Sequence, residues 1–175
     1  RWAEEVLAAR EAIAAWARLS YGFMGRTPDY KAAFMASLGA NPEFYAPFGD
    51  NALAWYRKFA SRALFLNHVL VNAPVDRKKP VHEVADVFVH LVRERDDGII
   101  VSGAKMLATG SAITHGTFVA QNSSVHLAAG KAEDFALVFI ADMDTRGAKL
   151  LCRSSYEDKA ISPFDHPLSS RFDEN

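Results

Sequence analysis

Histidine and cysteine are the side chains most often used for metal binding and nucleophilic catalysis, and in this chain they are not clustered. The single cysteine, Cys152, rules out an internal disulfide framework and any site built from several cysteines. The six histidines are too dispersed to indicate a metal cluster: His68, His82, His90, His115, His126 and His166. No P-loop, Gly-x-Ser-x-Gly elbow, His-Glu-x-x-His motif or Rossmann glycine fingerprint occurs. Spacing alone therefore predicts no metal and assigns no reaction.

The composition of the 175 residues is that of a globular protein, with 50% hydrophobic and 23% charged residues. A net charge of −1 argues against nucleic acid or an anionic membrane as a partner recognised through bulk charge. No apolar run approaches the roughly 18 residues that cross a bilayer, and residues 1–5 do not resemble a signal peptide. We therefore expect a cytoplasmic location. Neither end carries a helix-terminating or strand-terminating signal, which favours a piece of a longer chain.

Helical patterns occupy the first part of the chain. Apolar side chains recur at a spacing of about 3.6 residues between Trp2 and Leu19, which predicts an amphipathic helix. We expect its stripe containing Trp2 and Trp16 to lie in the core.

Further helix signals follow. Thr27 before Pro28 predicts the start of a second helix, and Gly39 predicts its end. Asn41-Pro42 repeats the start signal, and apolar spacing predicts a longer helix over residues 50–70.

The pattern becomes strand-like after Pro80. Residues 96–98, Asp-Asp-Gly, predict a hairpin turn. The β-rich runs are residues 86–94, 99–107, 117–120, 135–141 and 149–152. The expected fold class is α+β, with residues 1–79 as a helical subdomain and residues 80–175 as an antiparallel barrel or sandwich.

Four blocks of the sequence are similar to those of one known family. They are residues 21–31, 66–77, 101–112 and 167–175, in that order along the chain. They resemble the oxygenase component of the 4-hydroxyphenylacetate 3-monooxygenase family, the two-component flavin-dependent phenol hydroxylases. The resemblance implies an acyl-CoA dehydrogenase-like fold with an N-terminal helical domain, a middle β-barrel and a C-terminal helical bundle. This chain would hold the end of the first domain and most of the second, without the bundle.

The resemblance also implies site residues. Arg26, Tyr30 and His68 would surround the phenol oxygen of the substrate. The positions that would contact the flavin are His68, Val69, Leu70, Pro74, Val75, Asp76, Arg77 and Thr109. The loop at Gln121, Asn122 and Ser123 would meet the tail of the substrate. Compared with the family pattern, the segment 156–164 is expected to be either a trimmed loop or a segment with residues missing.

The implied reaction is ortho-hydroxylation of a phenol through a flavin C4a-hydroperoxide, with O2 and with FADH2 supplied by a separate flavin reductase. A free phenol has a pKa of about 10, so activation requires a base, a cation, or both. Arg26 would stabilise the phenolate, because a guanidinium stays charged at working pH. His68 would take or relay the phenolic proton, and Tyr30 would orient the oxygen.

Other readings stay open at this point. An acyl-CoA dehydrogenase proper would need a carboxylate from outside these residues, and a non-catalytic homologue would leave Arg26 as a surface cation and His68 as a locally satisfied helix residue. Thr109 could be an ordinary strand residue, and Asp76 a surface ion-pair partner of Arg77. An iron–sulfur dehydratase is excluded within this segment by its one cysteine. The phenol could be free or tethered to a carrier protein, and we expect a homo-oligomer, either a dimer or a tetramer.

Overall fold

The computed structural model describes residues 2–22, 28–76, 78–84, 86–122, 125–162, 164–165 and 167. Four helices lie in these ranges: α1 (Trp2–Leu19), α2 (Pro28–Ala40), α3 (Gly49–Arg62) and the single turn α4 (Tyr156–Lys159). The strands are β1 (Leu66–Val69), β2 (Val71–Asn72), β3 (His90–Arg95), β4 (Gly98–Ser102), β5 (Lys105–Met106), β6 (Gly116–Val119) and β7 (Phe139–Asp142). No helix in the described ranges is both long and apolar enough to span a membrane.

Helix α1 confirms the predicted bounds, but its predicted burial was wrong. None of its residues is buried, and Trp2 and Trp16 are 82% and 60% exposed. Its apolar stripe gives the helix its periodicity, yet the described part of the chain packs no element over that stripe. The stripe is therefore a surface of this chain and not part of its core.

Helix α2 runs past the glycine that was expected to end it. Gly39 is helical, and a Cβ placed there would collide with the ring of Tyr56 on α3. The glycine therefore serves the packing of α2 against α3, because it lets the two helices approach closely around one aromatic ring. The Asn41-Pro42 signal starts a 3-10 turn over Pro42–Tyr45 instead of a longer helix.

The predicted helix over residues 50–70 was wrong in its second half. Helix α3 ends at Arg62, where Ala63 adopts a left-handed conformation with φ of 49° and its N–H bonds back to Ala60. The chain then extends into β1, so His68 lies on a strand. A left-handed residue at a helix end is usually glycine. Because this position holds alanine, no sequence signal marks the end of the helix.

The seven strands form three small open sheets in the described residues. One has the order β1-β6-β7, with β1 parallel to β6 and β6 antiparallel to β7. The pairs β2-β5 and β3-β4 are antiparallel. The β3-β4 pair turns at Asp96-Asp97, which confirms the predicted hairpin. Residues 149–152, expected as a strand, lie outside any strand or helix.

The architecture is thus mixed α and β, but the described strands do not close into one antiparallel barrel. The parallel β1-β6 pair is the main departure from the antiparallel expectation. It arises because the chain from β1 to β6 crosses over through the other two sheets' strands instead of returning by a hairpin.

Three apolar clusters hold these elements together. The first joins Phe59 of α3 and Met35 of α2 to Leu66 of β1. A Cβ at Gly116 of β6 would lie 2.8 Å from the ring of Phe59, so this glycine admits the ring to the sheet face. The second cluster contains Val69, Val89 and Val119, and the third contains Val81, Phe88, Ala132 and Phe135. Together they fix β1 between the helices and the remaining strands.

Candidate functional site

His68 projects from β1 towards helix α2. Successive side chains of a strand point to opposite faces, so His68 shares its face with Leu66, which packs against α2 and α3. The rings of His68 and Tyr30 lie edge to face, with centroids 6.4 Å apart and planes at 66°. Two residues from separate sequence blocks therefore meet at the contact between α2 and β1. Tyr30 is 55% exposed and His68 is half-buried, so the pair lies at the edge of the core.

An aromatic wall and a buried cation border this pair. Phe34 follows Tyr30 by one turn of α2, and its ring lies 5.6 Å from that of Phe118, the register partner of His68 on β6. The Lys31 Nζ lies 4.1 Å from the Tyr30 ring centroid and 4.2 Å from that of Phe34, with the residue only 4% exposed. An ammonium over aromatic faces is attracted by their quadrupoles. Lys31 lies inside the first resembling block, at residues 21–31, but was not among the predicted site residues.

Asn67 ties the opposite face of β1 to the loop that contains Thr109. Its side chain is 4% exposed and donates to the hydroxyl of Ser111 and, at 3.4 Å, to the carbonyl of Ala108. Its own carbonyl oxygen accepts the N–H of His68. One buried amide therefore fixes both the His68 backbone and the residues on either side of Thr109. A polar residue inside the apolar run 64–70 is a sequence signal for a buried amide, but it does not indicate these partners.

The segment expected to contact the flavin leaves β1 and passes through β2. The Val69 side chain is buried in the core cluster with Val89 and Val119, so a ligand could reach this residue only at its backbone. Val75 also packs inward, against the cluster around Val81. Pro74 and Asp76 are exposed, and the Asp76 carboxylate accepts the N–H of Lys78 at 3.0 Å. Its side chain therefore shapes the local turn.

Lys105 joins this segment to the loop expected to meet the substrate tail. Its Nζ donates to the Leu70 carbonyl at 3.2 Å, to Asn72 Oδ1 at 2.7 Å and to Gln121 Oε1 at 2.9 Å. Gln121 Nε2 in turn donates to the Phe135 carbonyl at 3.0 Å. Burial lowers the pKa of Lys105 from 10.5 to about 8. Lys105 lies inside the resembling block at residues 101–112, but no local pattern marks its role.

The structure thus brings Tyr30 and His68 together and links the Thr109 loop and Gln121 to the same group of strands. Asn122 is half-buried, and its carbonyl accepts the N–H of Val125 at 3.0 Å. Three of the expected site residues, Arg26, Arg77 and Ser123, lie outside the described residues. Among the residues described, no three His, Cys, Asp or Glu side chains are placed to hold a metal ion.

The donor set around Thr109 and β2 suits a flavin ring. Within the described ranges, the half-buried Thr109 hydroxyl makes no hydrogen bond to the protein, and Gly110 beside it is left-handed with φ of 78°. A threonine hydroxyl and the backbone of the exposed residues in the turn at 74–76 can meet the carbonyl oxygens and ring nitrogens that such a group presents. The residues present therefore fit a flavin, held by Thr109, the backbone of residues 68–70 and the turn at 74–76.

The chain is thus a mixed α/β unit in which Tyr30 of a helix and His68 of a strand come into contact. Residues 1–175 match the family described as 4-hydroxyphenylacetate 3-hydroxylase N terminal. The chain belongs to that family.

Individual relatives agree with this match. The chain is 65% identical over 173 residues to the pyoverdin chromophore biosynthetic protein PvcC of Pseudomonas aeruginosa, covering 99% of this chain and 35% of that protein. It is 58% identical over 178 residues to the 4-hydroxyphenylacetate 3-monooxygenase oxygenase component of the same organism, covering 100% of this chain and 34% of that protein. The chain therefore spans about a third of the length of the curated relatives it matches.

A solved structure is similar as well. It is the oxygenase component of 4-hydroxyphenylacetate 3-monooxygenase complexed with FAD and 4-hydroxyphenylacetate. The TM-score is 0.75 at 31% identity, over 91% of this chain and 33% of that one. The family resemblance noted from the four sequence blocks is confirmed.

Proposed function

We propose that the full-length protein containing this chain is the oxygenase component of a two-component, FADH2-dependent monooxygenase that hydroxylates a phenol ortho to its oxygen. The observation that carries the proposal is the meeting of Tyr30 and His68, with ring centroids 6.4 Å apart, between α2 and β1. These two residues come from two different blocks of family resemblance. The relatives' names and the complex of one neighbour with FAD and 4-hydroxyphenylacetate support it.

The protein's own groups would bind and activate the phenol. His68 would accept the phenolic proton at its imidazole, and the phenolate would push electron density onto the ortho carbon. Tyr30 would hold the oxygen through its hydroxyl, and Arg26 would balance the phenolate charge. Lys31 adds a second positive charge behind the Tyr30 ring. Bound reduced FAD supplies the activation of O2.

The cofactor and substrate contacts that we propose follow the segments described above. The flavin would be bound by His68, Val69, Leu70, Pro74, Val75, Asp76, Arg77 and Thr109. The tail of the substrate would meet Gln121, Asn122 and Ser123. A separate flavin reductase would supply FADH2, and the phenol would be either free or tethered to a carrier protein.

We also propose how the chain is organised within the larger protein. Residues 1–79 would be the end of an N-terminal helical domain and residues 80–175 most of a middle domain. Strands β1 and β2 precede this boundary but add to sheets of the second part. The small open sheets would belong to an antiparallel barrel in a cytoplasmic homo-oligomer, a dimer or a tetramer.

The test is turnover of the full-length protein with FADH2 generated by a separate reductase, against free and carrier-tethered phenols. We expect a catechol product and no direct oxidation of NADH by the oxygenase alone. His68→Ala should lower product formed per O2 consumed by at least about tenfold, because the flavin still reacts with O2 while the phenol stays protonated. His126→Ala is the matched control, since His126 is exposed and outside the site. Near wild-type coupling in His68→Ala, or NADH oxidation without a reductase, would contradict the proposal.

A further inference from the structure

The ammonium of Lys105 donates all three of its N–H groups to neutral oxygens of the protein. The acceptors are the Leu70 carbonyl, Asn72 Oδ1 and Gln121 Oε1, at 3.2, 2.7 and 2.9 Å. Lys105 and Asn72 are also register partners in the β2-β5 pair, so the side-chain contact reinforces a backbone pairing. An ammonium has three donors, so this one is fully engaged. It is therefore not an open binding site for an anion.

The acceptors belong to two segments that are far apart in sequence and have different expected tasks. Leu70 and Asn72 lead into the turn at 74–76, which is expected to meet the flavin. Gln121 begins the loop expected to meet the substrate tail. Gln121 is held at its other end as well, because its Nε2 donates to the Phe135 carbonyl at 3.0 Å. Phe135 is 4% exposed and belongs to the core cluster with Val81 and Phe88. The contacts thus run without a break from β2 to the core.

Burying an ammonium at this position costs hydration free energy that an apolar side chain would not lose. Burial lowers the pKa of Lys105 to about 8, because the charged form loses hydration. An apolar side chain of similar length would fill the same space without that penalty. What it could not do is hold three oxygens from two segments at one point, because that requires several donors on one atom.

We propose that Lys105 is a positioning residue that sets the distance between the flavin-contacting segment and the substrate-tail loop. The inference rests on the proposed function for the meaning of the two segments. The contacts by themselves show that one ammonium holds Leu70, Asn72 and Gln121 together. Lys105 would act through these residues, because all three of its donors are already engaged by them.

The test compares variants of the full-length protein. Lys105→Met keeps the aliphatic stem and removes the donors, Lys105→Arg keeps a charged donor, and Gln121→Leu removes one acceptor. Lys149→Met is the matched control, because Lys149 is exposed and its side chain makes no hydrogen bond or ion pair among the described residues. Three quantities are measured: the KM for the phenol, the Kd for FAD, and amide hydrogen exchange of residues 70–76 and 120–122 without ligands.

We expect Lys105→Met to raise both the KM and the Kd by about tenfold, the effect of losing roughly one or two net hydrogen bonds, with kcat changed less. Exchange should speed up in both segments together, and Lys105→Arg should restore part of each effect. Gln121→Leu added to Lys105→Met should raise the Kd for FAD little further, since Gln121 lies outside the flavin-contacting segment and its bond to Lys105 is already gone. Lys149→Met should match the wild type in all three.

Some outcomes would overturn the inference. Faster exchange with an unchanged KM and Kd would make Lys105 a structural residue only. Faster exchange in one segment alone, or multiplicative effects of Lys105→Met and Gln121→Leu on the Kd for FAD, would show that Lys105 does not connect the two segments. If the wild type hydroxylates no phenol, the proposed function fails. Exchange that rises in both segments would still support the link between them.

Discussion

The contact between Asn67 and Ser111 offers a quantitative test of how β1 is held. Both residues are buried, 4% and 5% exposed, and the amide of Asn67 donates to the hydroxyl of Ser111. Asn67→Leu keeps the approximate volume but leaves the Ser111 hydroxyl and the His68 N–H without this partner, while the Ala108 carbonyl keeps the backbone N–H of Ser111. A buried polar group without a partner costs about 1–3 kcal/mol. Some of these groups will find water, so we expect a total loss of about 2–4 kcal/mol.

The matching change on the other side is Ser111→Ala, for which we expect a loss of about 1–2 kcal/mol. Removing both partners leaves fewer stranded groups than the single changes imply. The double variant should therefore be less destabilised than the sum of the two by about 1–2 kcal/mol.

The assay is native-state hydrogen exchange of the β1 amides in the full-length protein, which reports the free energy of local opening. Ser102→Ala is the control, because Ser102 is exposed on β4 and should change the opening free energy by less than about 0.5 kcal/mol. Additivity of Asn67→Leu and Ser111→Ala within about 0.5 kcal/mol would refute the reasoning. An unchanged free energy of opening for the β1 amides in Asn67→Leu would also refute it.

Three further outcomes are expected. Gly39→Ala should lower the free energy of unfolding by about 1–3 kcal/mol in urea denaturation, because the clash with Tyr56 outweighs the gain of about 1 kcal/mol in helix propensity; a stabilised variant would contradict the packing. The free energy of unfolding of the wild type, relative to that of Lys105→Met, should rise as the pH is raised from 8 to 10.5. The folded chain holds the pKa of Lys105 at about 8 while the unfolded chain keeps 10.5, so the unfolded state binds more protons in that window; a flat difference in urea midpoints would contradict it. Arg26→Ala should lower product per O2 more than Arg26→Lys does, measured by oxygen uptake against catechol formed, and equal losses would argue against a charge role.

The sequence allowed the local elements of the fold to be predicted. Helix α1 has a strong period of about 3.6 residues, and the β3-β4 hairpin has an Asp-Asp-Gly turn, so both depend only on neighbouring residues. The end of α3 could not be predicted in this way, because Ala63 takes a conformation that its residue type does not signal. The apolar run that follows suits a buried helix as well as a strand, and its pairing with β6 decided between them.

The residues of the candidate site also fall into those that could be predicted from the sequence and those that could not. Tyr30 and His68 could be predicted only because their blocks resemble a known family, since neither spacing nor composition marks them. Lys31, Asn67 and Lys105 were missed because their roles depend on partners that the fold brings from elsewhere in the chain. Asn67 and Lys105 contact residues more than thirty positions away. No local pattern records such a contact.

The parallel pairing of β1 with β6 sets an order of events during folding. Strand β1, which contains His68, can pair in the sheet only after the chain has reached residues 116–119, the register partners of the residues of β1. Pairing over such a separation carries a large loop-closure cost and is slow compared with helix formation. Helices α2 and α3 can therefore form and pack early, with β1 still unpaired beside them. During synthesis the apolar face of β1 stays exposed while the intervening residues are made, and this interval is when the chain is most open to aggregation.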